Sequence, residues 1–171
     1  GGGFELEVKA DFSTDSASPA VNALYLAKNE IEAMGSRRRA ELHKNRLYKD
    51  TAEEKAAFRL MDFSCGSFGS NLNSGKLTFV IYTDQSKTAI QNELADLAAQ
   101  INARLRDHGF SVTGFKPVTR FFDYVETSDQ AVARILTEAA GDVIGSPVRQ
   151  SGACLSDLSI FLKYGSRSSV S

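Results

Sequence analysis

The chain has 171 residues, with 20 Lys and Arg against 21 Asp and Glu, a net charge of −1. This balance gives no positive field for nucleic acid or an anionic membrane, so neither partner is expected. No stretch approaches the roughly 18 uninterrupted apolar residues of a membrane span, and the Gly-Gly-Gly start does not resemble a signal peptide. The two cysteines, Cys65 and Cys154, are too far apart to suggest a disulfide framework. The composition therefore predicts a cytoplasmic protein.

The first fifty residues predict a strand, a helix and a loop. Phe4 to Ala10 alternates apolar with charged side chains, the pattern of a strand with one solvent-facing side. Ser18 and Pro19 predict a helix start, and Gly35 predicts its end. The inner stripe of this helix consists of Val21, Leu24, Ala27, Ile31 and Met34. The basic run from Ser36 to Asp50 has acidic neighbours and no glycine-rich turn, which favours a solvated connection over a phosphate site.

The middle of the chain predicts a hairpin. Thr51 and Glu54 form a capping box that opens a short helix to about Phe58. Arg59 to Phe68 predicts a strand by weak alternation, and Lys76 to Thr83 predicts a strong strand buried largely on both faces. The glycines and asparagines between these strands suit a turn.

A long helix and a last strand follow the hairpin. Ser86 is positioned to cap the helix and Gly109 to end it. Its apolar stripe consists of Ile90, Leu94, Leu97, Ile101 and Leu105. Phe110 to about Val118 predicts the last strand. The order βαββαβ predicts an α+β, ferredoxin-like sandwich with two helices on one side of a four-stranded antiparallel sheet. Because this fold hosts many functions, it does not assign one by itself.

The last quarter of the chain predicts elements that a four-stranded domain does not require. Thr127 and Gln130 form a capping box for a helix that Gly141 is expected to end. Val143 to Gln150 is compatible with a short strand, and Leu155 to Tyr164 predicts a last helix. We therefore predict a ferredoxin-like domain at residues 1–120 and, at residues 121–171, a C-terminal helical extension that is part of a second domain.

Three segments, in this order, resemble the lid, or dimerisation, domain of the zinc-dependent amidohydrolases of peptidase family M20. That family includes acetylornithine deacetylase, succinyl-diaminopimelate desuccinylase and related carboxypeptidases. The segments are PAVNALYLAKNEIEAM at Pro19 to Met34, GSNLNSGKLTFVIYT at Gly69 to Thr83, and ETSDQAVARILTEAAGDVIGSPVRQSGACLSDLSIFLKYG at Glu126 to Gly165. They resemble the first lid helix, the turn into a central lid strand, and the return of the chain into the catalytic domain.

The resemblance implies that the chemistry lies in a parent enzyme. In the family a catalytic domain binds two zinc ions, and a metal-bridging water attacks an amide with a Glu as general base. The parent would then hold zinc or cobalt and act on a small N-acyl amino acid or peptide. This chain alone is expected to be inactive, with no catalytic residue, no metal ligand and no cofactor. Its two histidines, His43 and His108, have no Cys, His or carboxylate at a recognisable ligand spacing.

The resemblance also implies a homodimer. The family's lids associate through the first lid helix and the neighbouring edge strand, so that two four-stranded sheets join across a two-fold axis. Here those elements are Pro19 to Met34 and the strand near Arg59 to Phe68.

Four positions carry the site expectations. Asn71 matches a lid asparagine that helps hold the substrate carboxylate, and the alternative is a turn residue. Asp157 matches an Asp that follows a glycine turn, and the alternative is a carboxylate in the first turn of the last helix. Ser13 stands where many relatives have a histidine, and Asp84 where many have an arginine. These two departures leave the substrate class open.

Two other functions are compatible with the sequence. The chain can be a free-standing ferredoxin-like dimer module that binds a small molecule, but the segment from Glu126 to Gly165 then has no role. It can also be a complete hydrolase with Cys154 or Ser64 as nucleophile, but no histidine is placed to act as the base.

Overall fold

A computed structural model describes residues 1–11, 20–44, 57–65, 73–124 and 131–145, together with Ile160 and Tyr164, which are both helical. The elements within these ranges are β1 (Gly2–Ala10), α1 (Ala20–Leu42), β2 (Phe58–Cys65), β3 (Ser74–Ile81), α2 (Lys87–Leu105), β4 (Phe110–Pro117) and α3 (Ala131–Ile144). A single 3-10 turn, Arg106–His108, joins α2 to β4. The predicted α+β class and the order βαββαβ are confirmed.

The four strands form one antiparallel sheet in the order β2-β3-β1-β4. This is the strand order of the ferredoxin-like sandwich, because each helix connects two parallel strands that have a third strand between them. The central pair sets Phe4 opposite Phe79 and Leu6 opposite Leu77. Both helices lie on the face that carries these residues. The fully buried large side chains of the core are Leu6, Val8, Leu24, Ile31, Met34, Leu77, Phe79, Ile81, Ile90, Ile101 and Leu105.

The other face of the sheet is open and charged. Glu5 of β1 forms an ion pair with Lys76 of β3 at 3.3 Å, and Glu7 forms one with Lys9 at 3.2 Å. The solvent-facing side predicted for the first strand is therefore confirmed. The prediction that the central strand is buried on both faces is wrong, because Lys76 is exposed and Thr78 is only half-buried. The alternation of β3 places only one set of its side chains beneath the helices.

Helix α1 continues seven residues beyond its predicted end at Gly35 and runs to Leu42. The glycine has no left-handed backbone conformation. Its missing side chain leaves room for the Phe58 ring of β2, because a Cβ at this position would stand 2.6 Å from Phe58 Cγ. The first part of the basic run, taken above as a solvated connection, is therefore helical up to Leu42.

Helix α2 has the ends that the sequence predicts. Ser86 is its N-cap, and its hydroxyl accepts a hydrogen bond from Ala89 N–H at 3.2 Å. Gly109 follows the 3-10 turn in the left-handed conformation, with φ of 71°, which a glycine adopts without strain. All five residues of the predicted apolar stripe are buried.

Helix α3 (Ala131–Ile144) continues beyond its predicted end. It passes through Gly141 and ends at Ile144, where Gly145 takes a left-handed φ of 72°. Val143, expected in a short strand, belongs to this helix. The two capping boxes, at Thr51 and at Thr127, lie outside the described residues. In the part of the chain that the structure describes, no helix is long and apolar enough to cross a membrane.

Candidate functional site

The predicted substrate-binding residues Asn71 and Asp157 lie outside the described ranges, as does Ser13. Their roles stay predictions. Asp84 is described and lies exposed in the turn between β3 and α2. The residues around this turn belong to a polar cluster that joins three elements.

Arg38 is the centre of that cluster. It is a buried residue of α1, and its guanidinium donates to the Glu93 carboxylate on α2. It also reaches Thr83 Oγ1 at 3.3 Å and Gln85 Oε1 at 3.4 Å, both in the turn after β3. Thr83 Oγ1 in turn accepts from Gln85 N–H at 3.0 Å. One arginine therefore ties α1 to α2 and to the turn that carries Asp84.

The sequence interpretation missed this role because it grouped Arg38 with the solvated basic run. A signal for it exists in the helical periodicity. Arg38 follows Met34 by four residues and Ile31 by seven, so it lies on the same buried stripe. Had the stripe been followed past Gly35, a buried arginine would have been predicted there.

The edge formed by α1 and β2 has a different character, with exposed aromatic and apolar side chains. Tyr25 of α1 packs on Phe63 of β2 with ring centroids 5.0 Å apart, yet 53% of Tyr25 is exposed. Met61, at an irregular point in the pairing of β2 with β3, is 56% exposed. These side chains lie along one edge of the sandwich, and we call this surface the α1/β2 edge.

A groove runs along the α1/β2 edge. It has a volume of about 420 Å³ and lies between Glu32, Ser36 and Arg39 on the helix and Phe58, Arg59 and Leu60 on the strand. Lys28 pairs with Glu32 at 2.7 Å. Arg39 forms no ion pair with any residue that the structure describes, and its Nε is buried without a hydrogen-bond acceptor. The groove is thus lined by both charged and apolar side chains.

The two outer strands of the sheet differ in their backbone groups. On β4, Val112 N–H donates to Asn102 Oδ1 at 2.8 Å, and Val112 C=O accepts from Asn102 Nδ2 at 2.9 Å. The side chain of Asn102 therefore satisfies the outward backbone groups of Val112. The strand β4 also ends in Pro117, which has no backbone N–H to donate. No proline interrupts β2, and it is the outer strand better suited to pairing with another chain.

The histidines and acidic residues do not form a metal centre in the part of the chain that the structure describes. No three His, Cys, Asp or Glu side chains lie together there in an arrangement that could hold a metal ion. His43 follows the end of α1, and His108 lies in the 3-10 turn. The described residues therefore do not fit the dinuclear site that the resemblance implies for the parent enzyme.

Comparison with known proteins identifies a fold relative. No family model matches the sequence, and a search of curated proteins finds no match. Among solved structures, the chain is similar to the YXEP protein of Bacillus subtilis, a dinuclear metal-binding peptidase of the M20 family. The TM-score is 0.50 and the sequence identity 14%, over 94% of this chain. At this identity the likeness shows a shared fold. The chain spans only 37% of the length of that peptidase.

Proposed function

We propose that this chain supplies the lid and dimerisation domain of a metal-dependent amidohydrolase related to the M20 peptidases. The observation that carries the proposal is the fold match, which extends over 94% of this chain and only 37% of the peptidase. It agrees with the resemblance of the three sequence segments. The absence of a metal-ligand cluster from the described residues is compatible with a domain that covers a site held elsewhere.

The start of the sandwich lies beside the segment that follows its last strand. This arrangement supports the role of an inserted domain. Val118 N–H donates to Gly3 C=O at 2.9 Å, and Phe122 N–H donates to Gly1 C=O at 2.7 Å. Gly3 N–H also donates to Thr119 Oγ1 at 2.7 Å. The start of β1 and the segment after β4 therefore run side by side. A lid joined to another domain through two adjacent strands can move over that domain as one body.

In this proposal the metal, zinc or cobalt, belongs to the other domain, where it would activate water for attack on an amide. The substrate is a small N-acyl amino acid or peptide. The residues of this chain contribute shape and association, and Asn71 and Asp157 are the proposed contacts to substrate.

The catalytic part of the proposal is tested with two proteins, the 171-residue chain and the product of its complete reading frame. We expect the complete protein to bind two metal ions and to hydrolyse N-acetyl amino acids, and the chain alone to do neither. Elemental analysis measures the bound metal, and an amidase assay measures the hydrolysis. Turnover by the chain alone, or a complete protein that neither binds metal nor hydrolyses amides, would contradict the proposal.

The association part of the proposal is a homodimer through the α1/β2 edge. Two identical edges can pair across a two-fold axis, which satisfies the outward backbone groups of β2 and covers Tyr25 and Met61. Met61→Lys places a charge on that edge, so we expect it to dissociate the dimer in light-scattering measurements. Val118→Lys is the matched control, because Val118 is also an exposed apolar residue but follows β4. A monomeric wild type, or equal effects of both variants, would contradict this surface.

A further inference from the structure

The start of β1 and the segment after β4 stay hydrogen-bonded beyond the regular pairing of these two strands. Val118 N–H donates to Gly3 C=O, and further along Phe122 N–H donates to Gly1 C=O. The Gly1 nitrogen donates back to Phe122 C=O, so these two residues exchange both of their backbone bonds. We call this pair of runs, residues 1–3 and residues 118–122, the stem.

The stem contains a bulge. From Gly3 to Gly1 the chain advances by two residues, whereas from Val118 to Phe122 it advances by four. Two residues of the second run are therefore extra, as in a large β-bulge. Thr119 holds the bulge in place, because its Oγ1 accepts from Gly3 N–H at 2.7 Å and donates to the next carbonyl at 3.2 Å.

Phe121 lies in this bulge and turns onto the sandwich over Gly2. A Cβ on Gly2 would stand 3.2 Å from Phe121 Cδ2 and 3.5 Å from Phe121 Cα. A Cβ on Gly3 would stand 3.1 Å from the side chains of Thr119 and Val118. Neither glycine has a positive φ. The two glycines therefore serve the close approach of the second run, and not a turn.

The stem is partly withdrawn from water along its length. Phe121 is half-buried and packs against the hydrophobic core of the sandwich. At the far end, burial lowers the pKa of the Gly1 amino group from 8.0 to about 6. A paired and partly buried segment opens less readily than an exposed one.

We propose that the stem is a rigid connection, fastened by Phe121 over Gly2, and that the lid turns about chain segments on the far side of the stem from the sandwich. The role of the stem as a connection rests on the proposed function. The Gly-Gly-Gly sequence alone would suggest a flexible hinge at this place, because glycine has the greatest backbone freedom. The contacts of Gly2 and Gly3 give these residues the opposite role.

Amide hydrogen exchange in the 171-residue chain tests the fastening. We expect Phe122 N–H to exchange at least about a hundredfold more slowly than in an unstructured peptide, because it is bonded to Gly1 C=O. Phe121→Ala should speed this exchange at least about tenfold, while Phe79 N–H on the central strand β3 stays within about threefold of wild type. An unprotected Phe122 amide in the wild type would overturn the proposal.

Phe122→Ala is the matched control. Phe122 is also a half-buried aromatic residue of the stem, but it is not among the described side chains that pack against the core. After correction for the intrinsic rate, its exchange should stay within about threefold of wild type. If Phe121→Ala impairs folding, Phe121→Leu is compared with Phe122→Leu, and faster exchange is again expected only for the first. Equal effects at both positions would overturn the role of Phe121.

A second variant tests the same contact from the opposite strand. Gly2→Val places a branched side chain where Phe121 lies, so we expect exchange at Phe122 to become at least about tenfold faster. In the Phe121→Ala background the added side chain meets no ring, and its effect should fall below about threefold. An equal effect in both backgrounds would contradict the contact.

The complete protein tests where the lid turns. Gly1→Cys combined with Phe122→Cys places a disulfide across the far end of the stem. Residues that exchange both backbone bonds have Cα atoms about 5.5 Å apart, within the range of about 4.4–6.8 Å that a disulfide spans. We expect the oxidised and reduced forms to hydrolyse an N-acetyl amino acid with kcat/KM values within about twofold of each other, because the stem stays closed while the lid moves. Gly1→Cys alone, oxidised in the same way, is the control.

The outcomes separate the stem from the proposed function. An oxidised form at least about tenfold less active than the reduced form would place the moving segment within the stem and overturn the proposal. Failure of the disulfide to form in the folded protein would overturn the pairing of Gly1 with Phe122. A complete protein without amidase activity would overturn the proposed function, and exchange at Phe122 would still decide whether the stem is fastened.

Discussion

The Phe58 ring of β2 occupies the space that a side chain on Gly35 of α1 would fill. A Cβ on Gly35 would stand 2.6 Å from Phe58 Cγ and 2.8 Å from Phe58 Cδ1. Both residues are buried. This contact sets how closely the long helix lies on the outer strand.

We expect Gly35→Ala to destabilise the protein by about 1–2 kcal/mol. Alanine favours a helix over glycine by roughly 0.5–1 kcal/mol, but overpacking a buried site costs about 1–3 kcal/mol, and the second effect is larger. Urea unfolding at equilibrium measures the difference.

The double variant Gly35→Ala with Phe58→Leu is the control for this contact. The smaller side chain makes room for the added methyl group, so the double variant should be more stable than the sum of the single effects predicts. A Gly35→Ala protein more stable than wild type would show that the helix moves away from the strand at little cost.

This contact also explains one limit of the sequence prediction. Local patterns predicted the order of strands and helices, the cap at Ser86 and the left-handed Gly109. They could do so because turn and capping chemistry depends on neighbouring residues. Gly35 has the same local appearance as a helix end. Its actual reason is a ring that lies 23 positions further along the chain, and no local pattern carries that information.

The candidate site was less predictable than the fold. The burial of Arg38 could be predicted from the helical spacing of α1. Its partners Thr83 and Glu93 could not, because they come from two other elements. The groove of the α1/β2 edge could not be predicted either, because it forms only where the helix packs on the strand. Asn71 and Asp157 were proposed from a family resemblance and not from local physics, so their roles await experiment.

The ion pair between Arg38 and Glu93 predicts an asymmetry between its two partners. The Arg38 side chain is 8% exposed and that of Glu93 is 34% exposed. If Arg38 is replaced by Met, water can solvate the carboxylate that remains. If Glu93 is replaced by Gln, the guanidinium stays buried with only neutral partners. We therefore expect Glu93→Gln to cost more stability than Arg38→Met, with both losses about 1–3 kcal/mol since the pair is only partly desolvated.

Urea unfolding of the two single variants and the double variant forms a thermodynamic cycle for this pair. The double variant should be less destabilised than the sum of the single losses. Exchange of Lys76 by Met is a useful comparison, because Lys76 pairs with Glu5 on the open face with about half of its side chain exposed. Lys76→Met should lower the free energy of unfolding by less than about 1 kcal/mol, as for surface ion pairs in general. A larger effect at Lys76 than at Arg38 would contradict this interpretation.

The double hydrogen bond from Asn102 to Val112 predicts a local effect on β4. Asn102→Ala removes both bonds, and we expect a loss of about 1–2 kcal/mol, since each is worth about 1 kcal/mol and alanine recovers some helix propensity. Hydrogen exchange at the Val112 amide should become faster than at the central strand β1. Asn29→Ala, at an exposed asparagine on α1, gains the same helix propensity without losing these bonds, so it should neither destabilise the protein nor speed exchange at Val112.

Asn71 can be tested in the complete protein. If it holds the substrate carboxylate, Asn71→Ala should lower kcat/KM by at least about tenfold, as expected for the loss of a hydrogen bond to a charged group. The unfolding free energy of the chain should change by less than about 0.5 kcal/mol. Unchanged kinetics, or a strongly destabilised protein, would favour a turn residue instead.

The Asn102 contact has a consequence for the size of the assembly. A sheet with two open edges can add copies at both ends and grow into a filament. Here the outward backbone groups of Val112 on β4 are bonded to an asparagine side chain of the same chain, so growth is favoured at β2. If β2 pairs across a two-fold axis, the joined sheet ends in two β4 strands whose Val112 groups are already bonded, which disfavours growth beyond two copies. Loss of Asn102 would then convert a closed pair into a unit able to polymerise, visible as concentration-dependent fibres.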